Sequence, residues 1–193
     1  MLGIESYNPK FYTETGDIVA ELNEAFQTLI GKVISEVWVV YDINENKWFK
    51  DCPVILIIDG MQVEISAYKI DELAITFNSI SMSEKLNWYD MDDFKLEWRK
   101  NAFSDILAVL NKKICNIEIM EYNLVTEITY SKDNPKEQDK KISAWLLNGI
   151  GFELDDGYFA VFNGLDENNI SIKQDLSENI RTFKVLRHTA GPG

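Results

Sequence analysis

The stretches WFKDCPVILIIDGMQVEIS (48–66) and WLLNGIGFELDDGYFAVFN (145–163) are written to one plan. Each opens on tryptophan, runs through apolar residues to Asp-Gly, and continues as an apolar alternation. Trp48 and Trp145 lie 97 positions apart, as do Gly60 and Gly157 and the two aspartates before them, Asp59 and Asp156. IDELAIT (70–76) resembles LDENNIS (165–171) at an offset of 95, and LIGKVISEVWVV (29–40) resembles VLNKKICNIEIM (109–120) at an offset of 80. The drift in offset calls for extra residues in the second half. The polar SKDNPKEQDKK (131–141) is the place where a longer loop costs little closure entropy. Two copies of a unit that cannot bury its own apolar face fold by covering each other. The pattern therefore predicts one interlocked α+β domain over 1–187, mainly antiparallel, with pseudo-repeats at about 17–80 and 100–172 and a disordered tail at 188–193.

Local signals fill in this plan. Ile18, Leu22, Phe26, Leu29 and Ile30 recur at helical spacing between Asp17, an acid suited to a helix start, and Gly31, a stop. Residues 33–41 read as a valine-rich strand and 42–46 as a turn. Residues 54–58 and 61–66, joined at Asp59-Gly60, read as a hairpin, followed by a strand near 74–80. The stretch 83–113 is acidic first and then helical, with Ile106, Leu107 and Leu110 on one face. Strands are expected at 114–122, 124–130, 142–147, 151–154, 158–162 and 182–186, and a short helix near 176–180.

Composition narrows the function. The 32 acidic and 19 basic residues leave a net charge of −13, without the basic footprint that nucleic acid or an anionic membrane requires. Such charge suits a basic partner and steers the encounter. No apolar run reaches a membrane span, and MLGIESYNPK lacks the form of a signal peptide, which predicts a cytoplasmic protein. Cys52 and Cys115 form neither a metal spacing nor a disulfide framework, and read as reduced thiols.

Catalytic chemistry is hard to build from this chain. His188 is the sole histidine, which removes histidine-assisted nucleophiles and His-based zinc sites. No Walker loop and no strand-borne G-x-G-x-x-G occurs. Asp90, Asp92 and Asp93 cluster, but an EF-hand counted from Asp90 would need Gly at Lys95 and Glu at Asn101. No metal, no cofactor and no catalytic residue is expected. Asp59 and Asp156 precede glycines and read as hairpin turns, and LDENN (165–169) reads as a turn or cap. The aromatics Trp88, Tyr89 and Trp98 are different: they stand outside the doubled pattern, among Glu84, Asp90, Asp92, Asp93 and Glu97. Aromatic anchors among acids predict a surface for a basic protein partner over residues 84–98.

A small acidic α+β chain carrying WFKDCPVILIIDG…YKIDELAI and WLLNGIGFELDDGYFAVFNGLDENNIS resembles, over roughly 17–172, the immunity proteins that bacteria keep beside secreted polymorphic toxins. The resemblance implies a non-catalytic inhibitor, monomeric or weakly dimeric, whose partner is a toxin domain. It carries over no functional residues. Two alternatives stay open: an acidic inhibitor that mimics nucleic acid, and a carboxylate-dependent enzyme with Asp or Glu of both halves facing across a cleft.

Overall fold

Isoleucine and valine crowd the chain after Gly31, and branched side chains favour the pleated strand. In the computed structural model, which describes residues 1–91, 93–128 and 140–185, this stretch becomes β1 (Ile34–Asp42), preceded by α1 (Thr15–Leu29). The first sheet continues with β2 (Lys47–Trp48), β3 (Val54–Ile58), β4 (Met61–Tyr68), β5 (Glu72–Phe77) and β6 (Leu96–Lys100). The second half holds α2 (Ser104–Leu107), then β7 (Ile114–Ile128), β8 (Lys140–Leu154), β9 (Gly157–Asn163), β10 (Asn168–Ser171) and β11 (Ile180–Lys184). The named strand pairs are antiparallel, so the fold is α+β and dominated by antiparallel sheet.

The two sheets share one connectivity. In the first, β3, β4 and β5 follow β1 outward, and β6 returns to the other edge of β1. In the second, β8, β9 and β10 follow β7, and β11 returns to the other edge of β7. The sheets meet where β1 and β7 begin. Ile34 N–H donates to the Lys112 carbonyl (3.2 Å) and Ile114 N–H to the Lys32 carbonyl (2.8 Å). Gly31 N–H donates to the Ile114 carbonyl and Asn111 N–H to the Ile34 carbonyl, both at 2.8 Å. Exchanging each residue of one bond for the residue 80 positions away in the other half gives its reciprocal.

The hairpins correspond with a shift of one residue from the sequence reading. Ile58 faces Met61 and Leu154 faces Gly157, so the turns are Asp59-Gly60 and Asp155-Asp156. Asp59 (φ 46°) and Gly60 (φ 84°) are both left-handed, as a tight primed turn requires. Gly157 (φ 116°) instead opens β9. The counterpart of Asp59 is thus Asp155, not Asp156. Trp48 and Trp145 also part company. Trp48 pairs with Tyr41 in β2, and Trp145 faces Asn123 within β8. The break between β2 and β3 has no equivalent in the continuous β8.

The inner faces of both sheets contribute to one apolar core. Ile34, Val37 and Val39 of β1, Ile117 and Ile119 of β7, and Phe152 and Phe159 of the second hairpin are fully buried in it. α1 adds Ile18, Phe26 and Leu29, with Leu22 and Ile30 packed at its margin. A second apolar cluster covers the outer face of the first sheet. There the irregular lead-in buries Leu2, Ile4 and Tyr7 against Ile55 and Ile80.

Several elements differ from expectation. Residues 96–100 form β6 rather than a helix, because the free edge of β1 takes a partner and Leu96 and Trp98 alternate with Glu97 and Arg99. The helix that remains, α2, is one turn, and Val109 rather than Leu107 joins Ile106 in the core. The strands expected at 114–122 and 124–130 are one strand over the described residues, and those at 142–147 and 151–154 are also one. β8 runs through Gly149 and Gly151 because large neighbours need their space: a Cβ on Gly151 would lie 2.0 Å from the Tyr158 hydroxyl. The strand expected at 74–80 is β5, stopped by left-handed Asn78. No helix forms at 176–180. Ser177 N–H binds the Asp175 carboxylate in a local turn, and Ile180 begins β11 on the free edge of β7. Of the polar loop, residues 131–139 lie outside the described residues, and the tail at 188–193 lies outside them entirely.

Candidate binding surfaces

Residues 81–91 lie over the outer face of the first sheet, fastened by the chain's lead-in. Ser6 donates its N–H (2.9 Å) and its hydroxyl to the Glu84 carboxylate, and these bonds hold that carboxyl below its ordinary range. Asn87 N–H donates to the Gly3 carbonyl at 2.8 Å. Gly3 is left-handed (φ 76°), and a Cβ there would meet the Trp88 ring at 3.2 Å, so glycine is what lets Trp88 settle.

Trp88 and Trp98 are half-buried members of the outer apolar cluster. Trp88 stands edge-on to Phe49 at 4.9 Å, and Phe49 in turn to Phe94 at 5.2 Å. Both tryptophans pack into that cluster with part of their surface still accessible. Tyr89 is presented: it is 65% exposed, its ring edge-on to Trp88 at 5.0 Å. Tyr89 and Asp90 both take left-handed conformations, clamped by reciprocal bonds between Asn87 and Asp90. Holding a bulky residue at positive φ costs about 1–2 kcal/mol.

The remaining predicted residues scatter. Asp90 and Asp93 are exposed beside Tyr89 along the chain, and Asp92 lies outside the described residues. Glu97 faces away from Trp98 by strand alternation and is paired with Arg99 at 2.6 Å.

Two other carboxylates come to Tyr89 instead: Asp166, in the LDENN stretch read as a turn or cap, and Asp51, which was given no role. A cavity of about 240 Å³ is lined by Tyr89, Trp88, Tyr68, Leu2, Ala67, Asp51 and Asp166. The fold puts Asp51 there through Asn168, a fully buried side chain of β10. Asn168 donates to the carbonyls of Lys50 (2.8 Å) and Cys52 (3.0 Å) and accepts from Ala67 N–H (2.7 Å). That clamp draws the 50–52 loop beside the left-handed turn at Leu165 and Asp166. Lys50 is taken by Glu167 and Asn169, both at 2.6 Å. Burial, then the charges of Glu167 and Asp166, push the Asp51 carboxyl above its ordinary range. Among the described residues no hydrogen bond or ion pair reaches that carboxylate.

What this arrangement can do is accept a cation. A carboxylate disfavoured by like charges and framed by aromatic rings offers both an ion pair and a cation–π contact. Asp51 and Asp166 carried no motif in sequence; the aromatic-acid grammar nearby was the sole pointer, and it missed the long-range partner.

The other buried carboxylates serve structure. Glu64 accepts from Gln62 (2.6 Å), Thr76 (2.7 Å) and Ser79 N–H (2.8 Å), and Glu121 accepts from Thr15 (2.6 Å) and Arg181. Glu118 accepts from Tyr158 (2.7 Å) and Gln174 (3.0 Å). Among the described residues no group of three or more His, Cys, Asp or Glu is placed to hold a metal ion, and no helix is long and apolar enough to cross a membrane. No family model, curated protein or solved structure matches this chain.

Proposed function

We propose that this protein is a non-catalytic inhibitor that binds a basic protein partner, of the immunity type, with a bacterial toxin domain as its target and the cytoplasm as its place of action. The observation that carries the reading is Tyr89, displayed from a clamped left-handed turn over a cavity whose Asp51 carboxylate has no cationic partner among the described residues. A lysine or arginine of the partner entering between Tyr89 and Tyr68 would pair with Asp51 and relieve its repulsion from Asp166 and Glu167. Asp90 and Asp93 on the same segment, with a net charge of −13, would steer the approach. Aromatic and desolvated charge contacts of this kind concentrate binding energy at interfaces.

The same proposal extends to origin. The two sheets descend from one duplicated helix-and-meander unit, a reading supported by their shared connectivity and by reciprocal hydrogen bonds at an offset of 80. The candidate surface is then an elaboration of one copy, since residues 81–95 connect β5 to β6 and have no match in the sequence of the other half.

Affinity capture from the native host, run side by side with the parent chain and with folded Tyr89→Ala and Asp51→Lys variants, tests the function. A basic partner held by the parent and lost from both variants supports it. A partner retained equally by all three removes the surface, and turnover of a substrate by the purified chain removes the non-catalytic reading.

A further inference from the structure

On the first sheet, the outer face is closed by the chain's own Leu2, Ile4 and Tyr7. On the second sheet the described residues leave the equivalent face hollow. A cavity of about 380 Å³ lies there, over Met120 of β7, Leu146 of β8, Ala160 and Phe162 of β9 and Ile180 of β11, with Ile70 and Leu165 at its mouth. The floor is low because Ala160, fully buried, stands where a larger side chain would fill the space. The volume falls within the roughly 300–1,000 Å³ of small-molecule sites.

The buried amides around this hollow are already engaged, and the Tyr122 hydroxyl is carried by an exposed side chain. Asn148 donates to the Asn163 carbonyl at 3.1 Å, Asn163 donates to the Lys69 carbonyl and accepts from Asp166 N–H at 2.9 Å, and Ser171 donates to the Lys173 carbonyl at 2.7 Å. The two charged residues in the lining, Lys173 and Asp175, have opposite signs and are both exposed to solvent, so neither offers a desolvated partner to an ion. One wall is the segment carrying both of them, fastened to the sheet where Gln174 donates to Glu118 at 3.0 Å.

We infer that this cavity is a binding site for an uncharged, apolar small molecule, an aliphatic or aromatic body without an ionic head. A charged ligand would surrender its hydration without a partner, whereas an apolar one gains by burial alone. The site adjoins the proposed partner surface at the Leu165–Asp166 turn but does not depend on it.

The test uses the full chain and the neutral, apolar fluorophore N-phenyl-1-naphthylamine. The expected result is a saturable rise in fluorescence with one site per chain, reversed by 1-decanol at concentrations at least tenfold below those needed for decanoate or decylamine. Ala160→Leu, which fills the floor, should abolish the signal with native circular dichroism. Ile70→Ser, at the exposed mouth, should weaken binding at least threefold, and stands in if Ala160→Leu does not fold. Absence of saturable binding, equal binding by the folded variants, or displacement by the ions as readily as by the alcohol overturns the inference. So does a concentration-dependent dimer in sedimentation that Ile70→Ser dissolves, because the hollow would then belong to a second copy.

Discussion

Asp59 and Asp155 perform the same task on opposite halves of the molecule. Asp59 accepts from Val33 N–H at 3.2 Å and donates its own N–H to the Val33 carbonyl at 3.1 Å. Asp155 does the same with Lys113, at 3.1 and 2.9 Å. Each ties a hairpin turn to the start of the inner strand. Replacing either by Ala should destabilise the fold by about 1 kcal/mol. Asp59→Asn, which keeps an acceptor and tolerates positive φ, should cost less than half as much. Urea unfolding of the single variants checks both values, and a neutral Asp155→Ala would show that the paired turns are not equivalent in energy.

Tyr158 and Gly151 should prove coupled. The Tyr158 hydroxyl donates to buried Glu118, and Tyr158→Phe should cost about 2 kcal/mol by removing a hydrogen bond to a carboxylate. Gly151→Ala places a methyl 2.0 Å from that hydroxyl, and should cost at least ~2 kcal/mol through overpacking. In the double variant the two losses should sum to less than their separate values, because removing the oxygen opens room for the methyl. Additive losses would mean that the clash is relieved elsewhere.

Asp51 should act oppositely in stability and in binding. Its carboxyl is raised above 3.8 by burial and by Glu167 and Asp166. The folded state therefore penalises the ionised form. That penalty is present above the folded pKa and disappears as pH falls through the unfolded value. Asp51→Asn should stabilise the protein at pH 7 by less than about 1 kcal/mol, since solvent screens a half-exposed group. The gain should vanish near pH 3. The same variant should bind a basic partner more weakly, so a melting-temperature series against pH and a binding titration give opposite signs.

The two thiols should react differently. Burial and then Asp51 push the Cys52 thiol far up, while Cys115 is exposed on β7. A disulfide reagent should titrate one thiol rapidly in the native protein and the second after denaturation. Rapid reaction of both would show that the lead-in over Cys52, whose Sγ–H donates to the Leu2 carbonyl, opens readily.

Trp48 and Trp98 should tolerate Phe better than Ala. Both indole N–H groups are buried without a hydrogen-bond partner among the described residues. Removing a donor that has no acceptor costs little, so the Phe variants should stay within ~1 kcal/mol of the parent, whereas Trp98→Ala should lose about 2–3 kcal/mol of packing. Chemical denaturation separates the two outcomes.

Local periodicity carried much of the fold. The face of α1 and the hairpin at Asp59-Gly60 were legible because each is decided by residues within a few positions of one another. β6 was not, because a short polar strand is decided by the free edge it meets: Trp98 faces Val40, a partner 58 residues away. β11 was expected at 182–186, and its start at Ile180 is set by the free edge of β7, where Ile180 faces Tyr122. The doubled phrase placed the second turn one position late, since Asp155 and Asp156 are adjacent and the sequence does not say which one caps Lys113. Tyr89 was recognisable as an aromatic among acids. Its actual companions, Asp51 and Asp166, are brought by the Asn168 clamp, and nothing near Asn168 in the chain announces that role.

The reciprocal bonds among residues 31–34 and 111–114 have a consequence for how the molecule comes apart. Each half completes the backbone ladder of the other at its innermost point, so neither sheet can open there while its neighbour stays intact. The amides of Gly31, Ile34, Asn111 and Ile114 should therefore exchange with deuterated solvent only through whole-molecule opening, at one common free energy. In denaturation the chain should behave as a single cooperative unit, with no half-folded state in which one meander survives alone.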